Sequence, residues 1–253
     1  MSKCLERPQS CGRINISYPF YLSDDTGAQE GTGASYCGYP GLGIECEDGV
    51  AVMELPGGKY NVSDINYENF IVSLADQEVR EDETCPTVDH NVTFPHGSWL
   101  LFPDTTDYLV FFLNCSFTSG FVKPSNIDPI GCDVFNSLLT TGQYSYVVPR
   151  RDLSVEGWWG ACQRVFDAPV LKHNLPANSL NDAGWRNGGF SSVLRAGFQV
   201  SWDSEARKRS ACAQCEGSKG QCGYNQTGQF VGCFCPGEQA VAQNCTTISS
   251  VCL

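Results

Sequence analysis

Residues 108–117 read Tyr-Leu-Val-Phe-Phe-Leu-Asn-Cys-Ser-Phe, and three properties of this stretch set the fold class. It is rich in β-branched and aromatic side chains and follows the turn pair Pro103-Asp104, so it predicts a strand. Its apolar part, Tyr108–Leu113, is the longest such run in the chain. A membrane-crossing helix needs about 20 residues, so no span is expected. It also places Cys115 inside the sequon Asn114-Cys115-Ser116, and disulfides and N-linked glycans both belong to exported chains.

Working outward, the same signal recurs. Val50–Leu55, Asn69–Ala75 and Ser98–Phe102 are short β-rich runs bounded by turn clusters such as Pro56-Gly57-Gly58. No stretch of ten or more residues before residue 118 keeps a 3.6-residue apolar period. Further on, Tyr144–Val148 and Ala196–Trp202 predict strands, and Gly160–Phe166 and Phe190–Arg195 predict short helices. The expected fold is mainly β, with a few short helices and no internal repeat.

Cysteine assigns the compartment. The 253 residues include 15 Cys, at 4, 11, 37, 46, 85, 115, 132, 162, 212, 215, 222, 233, 235, 245 and 252. Six sequons stand at Asn15, Asn61, Asn91, Asn114, Asn225 and Asn244. With 14 Asn and 36 Ser plus Thr, chance gives about two. That excess marks an extracellular glycoprotein. A set of zinc sites would show several paired Cys knuckles, and only Cys212-x2-Cys215 has that form. A disulfide framework without bound zinc follows, with Cys4, Cys11, Cys37, Cys46, Cys85, Cys115, Cys132, Cys162, Cys212, Cys215, Cys222, Cys233, Cys235 and Cys245 paired and Cys252 the odd thiol. Asn15, Asn61, Asn91 and Asn225 are expected to be solvent-exposed glycan acceptors.

Charge divides the chain. The total is −12, from 16 Lys plus Arg against 28 Asp plus Glu. Residues 1–117 hold five basic and 18 acidic side chains, and residues 118–253 hold 11 and 10. Such asymmetry signals two modules, 1–117 and 118–253, the second ending in a Cys-rich tail over 212–252. The overall sign excludes a nucleic-acid binder, which needs a basic face for phosphates.

Catalytic signatures are missing. There is no Gly-x-Ser-x-Gly elbow, no His-Glu-x-x-His pair and no phosphate-binding glycine loop. The three histidines, His90, His96 and His173, fall in no metal spacing, and no catalytic residue, metal or cofactor is expected. The acids Glu78, Glu81, Asp82 and Glu83 do not alternate as a calcium loop requires and read as a solvated loop. What remains are binding candidates. Arg207-Lys208-Arg209 is a basic patch that reads as a solvated loop, with contact to an anionic partner as the alternative. Trp158, Trp159, Trp185 and Tyr39 are the candidate sugar-stacking rings, with core packing the default reading for each.

Two motif sets then carry a family resemblance. Cys11-Gly12, Ile16, Tyr18-Pro19-Phe20, Cys37-Gly38-Tyr39-Pro40-Gly41-Leu42 and Ile44-x-Cys46 resemble the galacturonan-binding domain of plant wall-associated receptor kinases. Gly197-Phe198-x-Val200-x-Trp202, Cys212-x-x-Cys215, Gly220-x-Cys222-Gly223-Tyr224, Phe230 and Cys233-x-Cys235 resemble the wall-associated-kinase C-terminal domain. In this order the pair is similar to ectodomains of leaf-rust-resistance-locus receptor-like kinases. The resemblance implies an extracellular, non-enzymatic recognition region whose full-length form continues into a transmembrane helix and a Ser/Thr kinase. It implies contact with cell-wall polysaccharide (pectin) or, as the alternative, with an extracellular protein or peptide such as a pathogen effector or co-receptor. The tail also resembles the latter half of an EGF-like module, which implies the pairs Cys212–Cys222, Cys215–Cys233 and Cys235–Cys245.

Overall fold

A computed structural model describes residues 9–23, 35–80, 83–86, 88–94, 97–117, 127–132, 143–153, 158–177, 184–203, 205–236 and 241–245. Cys4 and Cys252 lie outside them. The described part is built from short strands, with only brief helices, and from disulfides.

Strands β1 (Gln9–Cys11) and β2 (Ile14–Ile16) form a hairpin, followed by β3 (Tyr21–Leu22) and β4 (Tyr36–Cys37). A meander then runs through β5 (Gly43–Glu47), β6 (Val50–Leu55), β7 (Gly58–Asn66) and β8 (Ile71–Asp76). Strand β9 (Thr106–Ser116) takes in residues 108–116, all but the last residue of the stretch 108–117. Beyond it come β10 (Gln143–Pro149), β11 (Cys162–Leu171), helix α1 (Phe190–Arg195) and β12 (Phe198–Ser201). Helices α2 (Glu205–Lys208) and α3 (Ala211–Gly217) lead into β13 (Gln221–Tyr224), β14 (Phe230–Phe234) and β15 (Val241–Ala242).

Three sheets carry the architecture. A six-stranded sheet has the order β12-β8-β7-β6-β5-β3, antiparallel except where β3 meets β5. A three-stranded sheet is ordered β10-β9-β11, and a four-stranded one β15-β14-β13-β4. Strands from both sides of residues 117 and 118 share all three sheets: β12 pairs with β8, β9 lies between β10 and β11, and β4 pairs with β13.

The central run of β9 explains its own composition. Leu109, Phe111 and Leu113 point into one core with Phe166, Val170, Phe190 and Leu194. Val110, Phe112 and Cys115 point the other way, against Tyr146 and Val148. A strand buried on both faces needs an uninterrupted apolar run rather than alternation. The disulfide Cys115–Cys162 ties its end to the start of β11.

Several expectations change. Gly160–Phe166, read as a helix, enters β11, where Cys162 faces Cys115 and Phe166 faces Phe111. Its apolar spacing is ambiguous over seven residues, and pairing with β9 decides it. Ser98–Phe102, read as a strand, makes only the single bridge Leu101 to Ser201. Side-chain packing holds this segment instead, with Leu100 buried and Trp99 stacked on Tyr39. Val50–Leu55 and Phe190–Arg195 form the strand and helix expected of them.

Candidate functional site

The basic patch is not a loop. Arg207 and Lys208 fall on α2 and Arg209 follows it, so acids three and four residues away face them. Arg207 Nη1 donates to Asp203 Oδ1 at 2.9 Å, and Arg207 Nε donates to the Tyr39 hydroxyl at 2.9 Å and lies 3.6 Å from Glu216 Oε2. The guanidinium also sits 4.9 Å from the centre of the Phe70 ring. Lys208 pairs with Asp203 at 3.3 Å and with Glu205 at 3.5 Å, and Arg209 with Glu205 at 3.6 Å. The patch is therefore answered by acids of its own chain. Arg209, 81% exposed, is its most open member.

Tyr39 is buried to 1% exposure, so it offers no free face to a sugar. Its ring stacks on Trp99 at 4.6 Å and meets the edge of Tyr18 at 5.7 Å. The Tyr39 and Tyr18 hydroxyls both donate to Glu216 Oε1. Tyr18 also accepts the Cys222 backbone N–H at 3.2 Å. Burial first, then the neighbouring Glu216 carboxylate, push both phenols above their ordinary range. This hub clamps the N-terminal segment onto the disulfide-stapled tail.

Trp185 is also in the core, with its indole N–H donating to the Val147 carbonyl at 3.1 Å. Trp158 and Trp159 fall in the short turn Trp158–Ala161, and their side chains lie outside the described residues. The aromatic candidates are thus not gathered into one platform by the described residues.

In the tail, disulfides join Cys212 to Cys222, Cys215 to Cys233 and Cys235 to Cys245, the pairs the EGF-like resemblance implies. Cys11–Cys46 and Cys85–Cys132 add two more bonds, and Cys37 is also disulfide-bonded. Gly220 sits against this knot: a Cβ there would meet the sulfurs of Cys233, Cys245 and Cys215 at 2.3, 2.7 and 2.8 Å. Cys233, Cys235 and Cys245 are close enough to suggest a metal, but all three sulfurs are used in disulfides. Among the sequons, Asn15 and Asn91 are exposed, while Asn61 and Asn225, expected exposed, are half-buried together with Asn114 and Asn244.

Asp203, Glu205 and Glu216 were missed as site residues. The spacings Asp203–Arg207 and Glu205–Arg209, each i,i+4, were the signal for the first two; nothing local marks Glu216.

Two family models match the chain. Residues 4–76 match the wall-associated receptor kinase galacturonan-binding family, and residues 132–238 match the wall-associated receptor kinase C-terminal family. The chain is a wall-associated-kinase-like receptor ectodomain. Among curated relatives, leaf rust 10 disease-resistance locus receptor-like protein kinase-like 1.2 of Arabidopsis thaliana is 29% identical over 244 residues, 94% of this chain. The similarly named kinase-like 2.1 and 2.5 proteins, from the same plant, are each 26% identical over 90% and 89% of this chain. This ectodomain spans about a third of the length of these relatives, at 33%, 33% and 32%. No solved structure matches it. Both matched families are of ectodomain type, and no helix among the described residues is long and apolar enough to cross a membrane.

Proposed function

We propose that this chain is the ligand-recognition region of a plant receptor-like kinase and contacts cell-wall polysaccharide of the pectin class on the outer side of the plasma membrane. The supporting observation is the match of residues 4–76 to a galacturonan-binding family. In this reading the whole protein continues into a transmembrane helix and a Ser/Thr kinase; the relatives are named as receptor-like protein kinases.

The electrostatics restrict how pectin is held. Homogalacturonan is a polyanion, and residues 1–117 carry a net −13. The Arg207–Arg209 patch already faces Asp203, Glu205 and Glu216, so a polymer carboxylate would have to displace an internal partner. Contact therefore depends on calcium bridging carboxylates or on methyl-esterified, neutral stretches. Calorimetry with galacturonan oligomers tests this, with and without calcium and across methyl-ester content. Binding is expected with calcium or ester and little in chelator at physiological salt. Absence of binding to every galacturonan under all of these conditions overturns the reading. A micromolar dissociation constant for the fully charged oligomer in chelator overturns the restriction on how it is held.

A further inference from the structure

The acidic end of β8 meets the segment around residue 90 in a cluster unrelated to the Arg207 hub. His90 is largely enclosed, its side chain 13% exposed. Its Nε2 lies 3.1 Å from Asp76 Oδ2 and 2.7 Å from the Tyr60 hydroxyl. The Asp76 side chain is itself only 11% exposed and accepts the Glu78 backbone N–H at 2.9 Å, so it is held in place. An ionised Asp76 carboxylate only accepts hydrogen bonds, so it is satisfied by the tautomer that carries the ring proton on Nε2. The lone pair is then left on Nδ1. That atom faces outward to two carboxylates, Glu78 Oε2 at 3.8 Å and Asp89 Oδ1 at 3.8 Å.

We propose that Nδ1 of His90 and the carboxylates of Glu78 and Asp89 form a binding site for a divalent first-row transition ion of the zinc type, with Asp76 orienting the imidazole from behind. The three donor atoms all lie within 4.8 Å of one another. Ligands about 2.0–2.2 Å from zinc sit roughly 3.3 Å apart, so small rotations of two exposed acids close the site. A carboxylate on the far nitrogen of a ligating imidazole is the usual outer-sphere partner of a zinc histidine. Charge favours the same occupant. Asp76, Glu78 and Asp89 surround one imidazole, and Arg164, 3.3 Å from Asp89 Oδ2, is the cation paired there among the described residues. The nitrogen donor selects against calcium, which takes oxygen ligands. The sequence gives no such signal, because Glu78 lies 11 residues before Asp89 and 12 before His90, in no metal spacing, and it leads to the opposite expectation of no bound metal.

The test uses the untagged, glycosylated chain of 253 residues with its disulfides intact and zinc chloride as the probe, without polysaccharide, so its outcome is independent of pectin binding. Calorimetry should give one zinc per chain in the micromolar range, accompanied by a rise in melting temperature. Millimolar calcium should not compete. The double variant Glu78→Gln/Asp89→Asn alters two exposed side chains, so it should melt like the wild type without metal and bind zinc at least 10-fold more weakly. Asp76→Asn should weaken binding 10- to 100-fold while leaving all three ligands in place. His90→Gln should abolish it; should that variant fail to fold, the double variant decides. No heat with millimolar zinc, unchanged affinity in the double variant, or displacement by calcium would each overturn the site.

Discussion

Around Arg207, one guanidinium meets Asp203, Glu216 and a tyrosine hydroxyl, and a second phenol, Tyr18, shares the Glu216 carboxylate and lies 3.2 Å from the Cys212 sulfur. Around His90, one imidazole meets Asp76, Glu78 and Asp89, also beside a tyrosine. The groups are alike, but their outer partners differ. In the first cluster Glu216, with a side chain 19% exposed, receives donors from both Tyr18 and Tyr39 as well as facing the cation. In the second, Glu78 and Asp89 are 61% and 60% exposed and face Nδ1 of the imidazole at 3.8 Å, with no donor from a tyrosine to either among the described residues. A closed cluster works as a clamp, and an open one with excess negative charge can take a cation. Sequence composition does not separate the two cases, because both are a basic residue among acids.

The comparison breaks most directly at Glu216. Glu216→Ala leaves Arg207 without one carboxylate and Tyr18 and Tyr39 without their acceptor. Removing one member of an enclosed ion pair costs about 3 kcal/mol, which lowers the melting temperature by roughly 6–12 °C in a chain of this size. Glu205→Ala, in the same region but 68% exposed, should change stability by less than about 0.5 kcal/mol. Equal effects of the two in calorimetry would show that the hub is not a clamp.

Gly220 tests the disulfide side of the clamp. Its added Cβ meets three sulfurs, whereas Gly217 has open space around a Cβ. Gly220→Ala should cost about 2 kcal/mol by overpacking and should raise the fraction of mispaired disulfides seen by non-reducing mass spectrometry. Gly217→Ala should be neutral in both assays.

Alkaline titration sharpens the same contrast. Burial raises the phenols of Tyr18 and Tyr39 in the hub, of Tyr224, whose ring meets Trp99 edge-on at 6.2 Å, and of Tyr60 beside His90, above the unfolded value of 10.0. Above about pH 10 the unfolded chain releases protons that the folded chain keeps. The stability these groups contribute is whole below pH 10 and is lost as pH rises through the folded values. Tyrosine absorbance of the native protein should thus stay low past pH 10 and rise together with unfolding. A smooth titration of most of the ten tyrosines near pH 10, with the fold intact, would contradict the enclosed hub.

What was legible in the sequence follows from how far each signal reaches. The run Tyr108–Leu113 marked a strand because both of its faces are buried, and Val50–Leu55 lies wholly within one strand. Gly160–Phe166, whose later part starts β11, reads locally as a helix because its partner β9 lies about 50 residues away, and no local spacing reports such pairing. The enclosure of three binding candidates has a related cause. Tyr39, Trp185 and Arg207 were chosen by residue type, and type does not reveal that Trp99, Val147 and Glu216 occupy their open sides. His90 stands in no metal spacing in the sequence, while the fold brings Asp76 and Glu78 to it from the end of β8.

The smallest effect is expected inside the basic patch itself. Arg209 and Arg207 are two residues apart, and each has a carboxylate at 3.6 Å. Distance alone would rank the pairs as equal. Arg209 is 81% exposed and Glu205 68%, so water competes for both and salt screens them. Arg207 is 21% exposed and Glu216 19%, and tyrosine hydroxyls fix both geometries. Double-mutant cycles to alanine should give a coupling below about 0.5 kcal/mol for Arg209–Glu205 and of about 1.5 kcal/mol or more for Arg207–Glu216. The first should vanish in half-molar salt and the second should persist. If Arg209–Glu205 couples as strongly as the inner pair, the outer edge of the patch belongs to the clamp. If it does not, Arg209 is the member of the patch that an anionic ligand can engage without taking the hub apart.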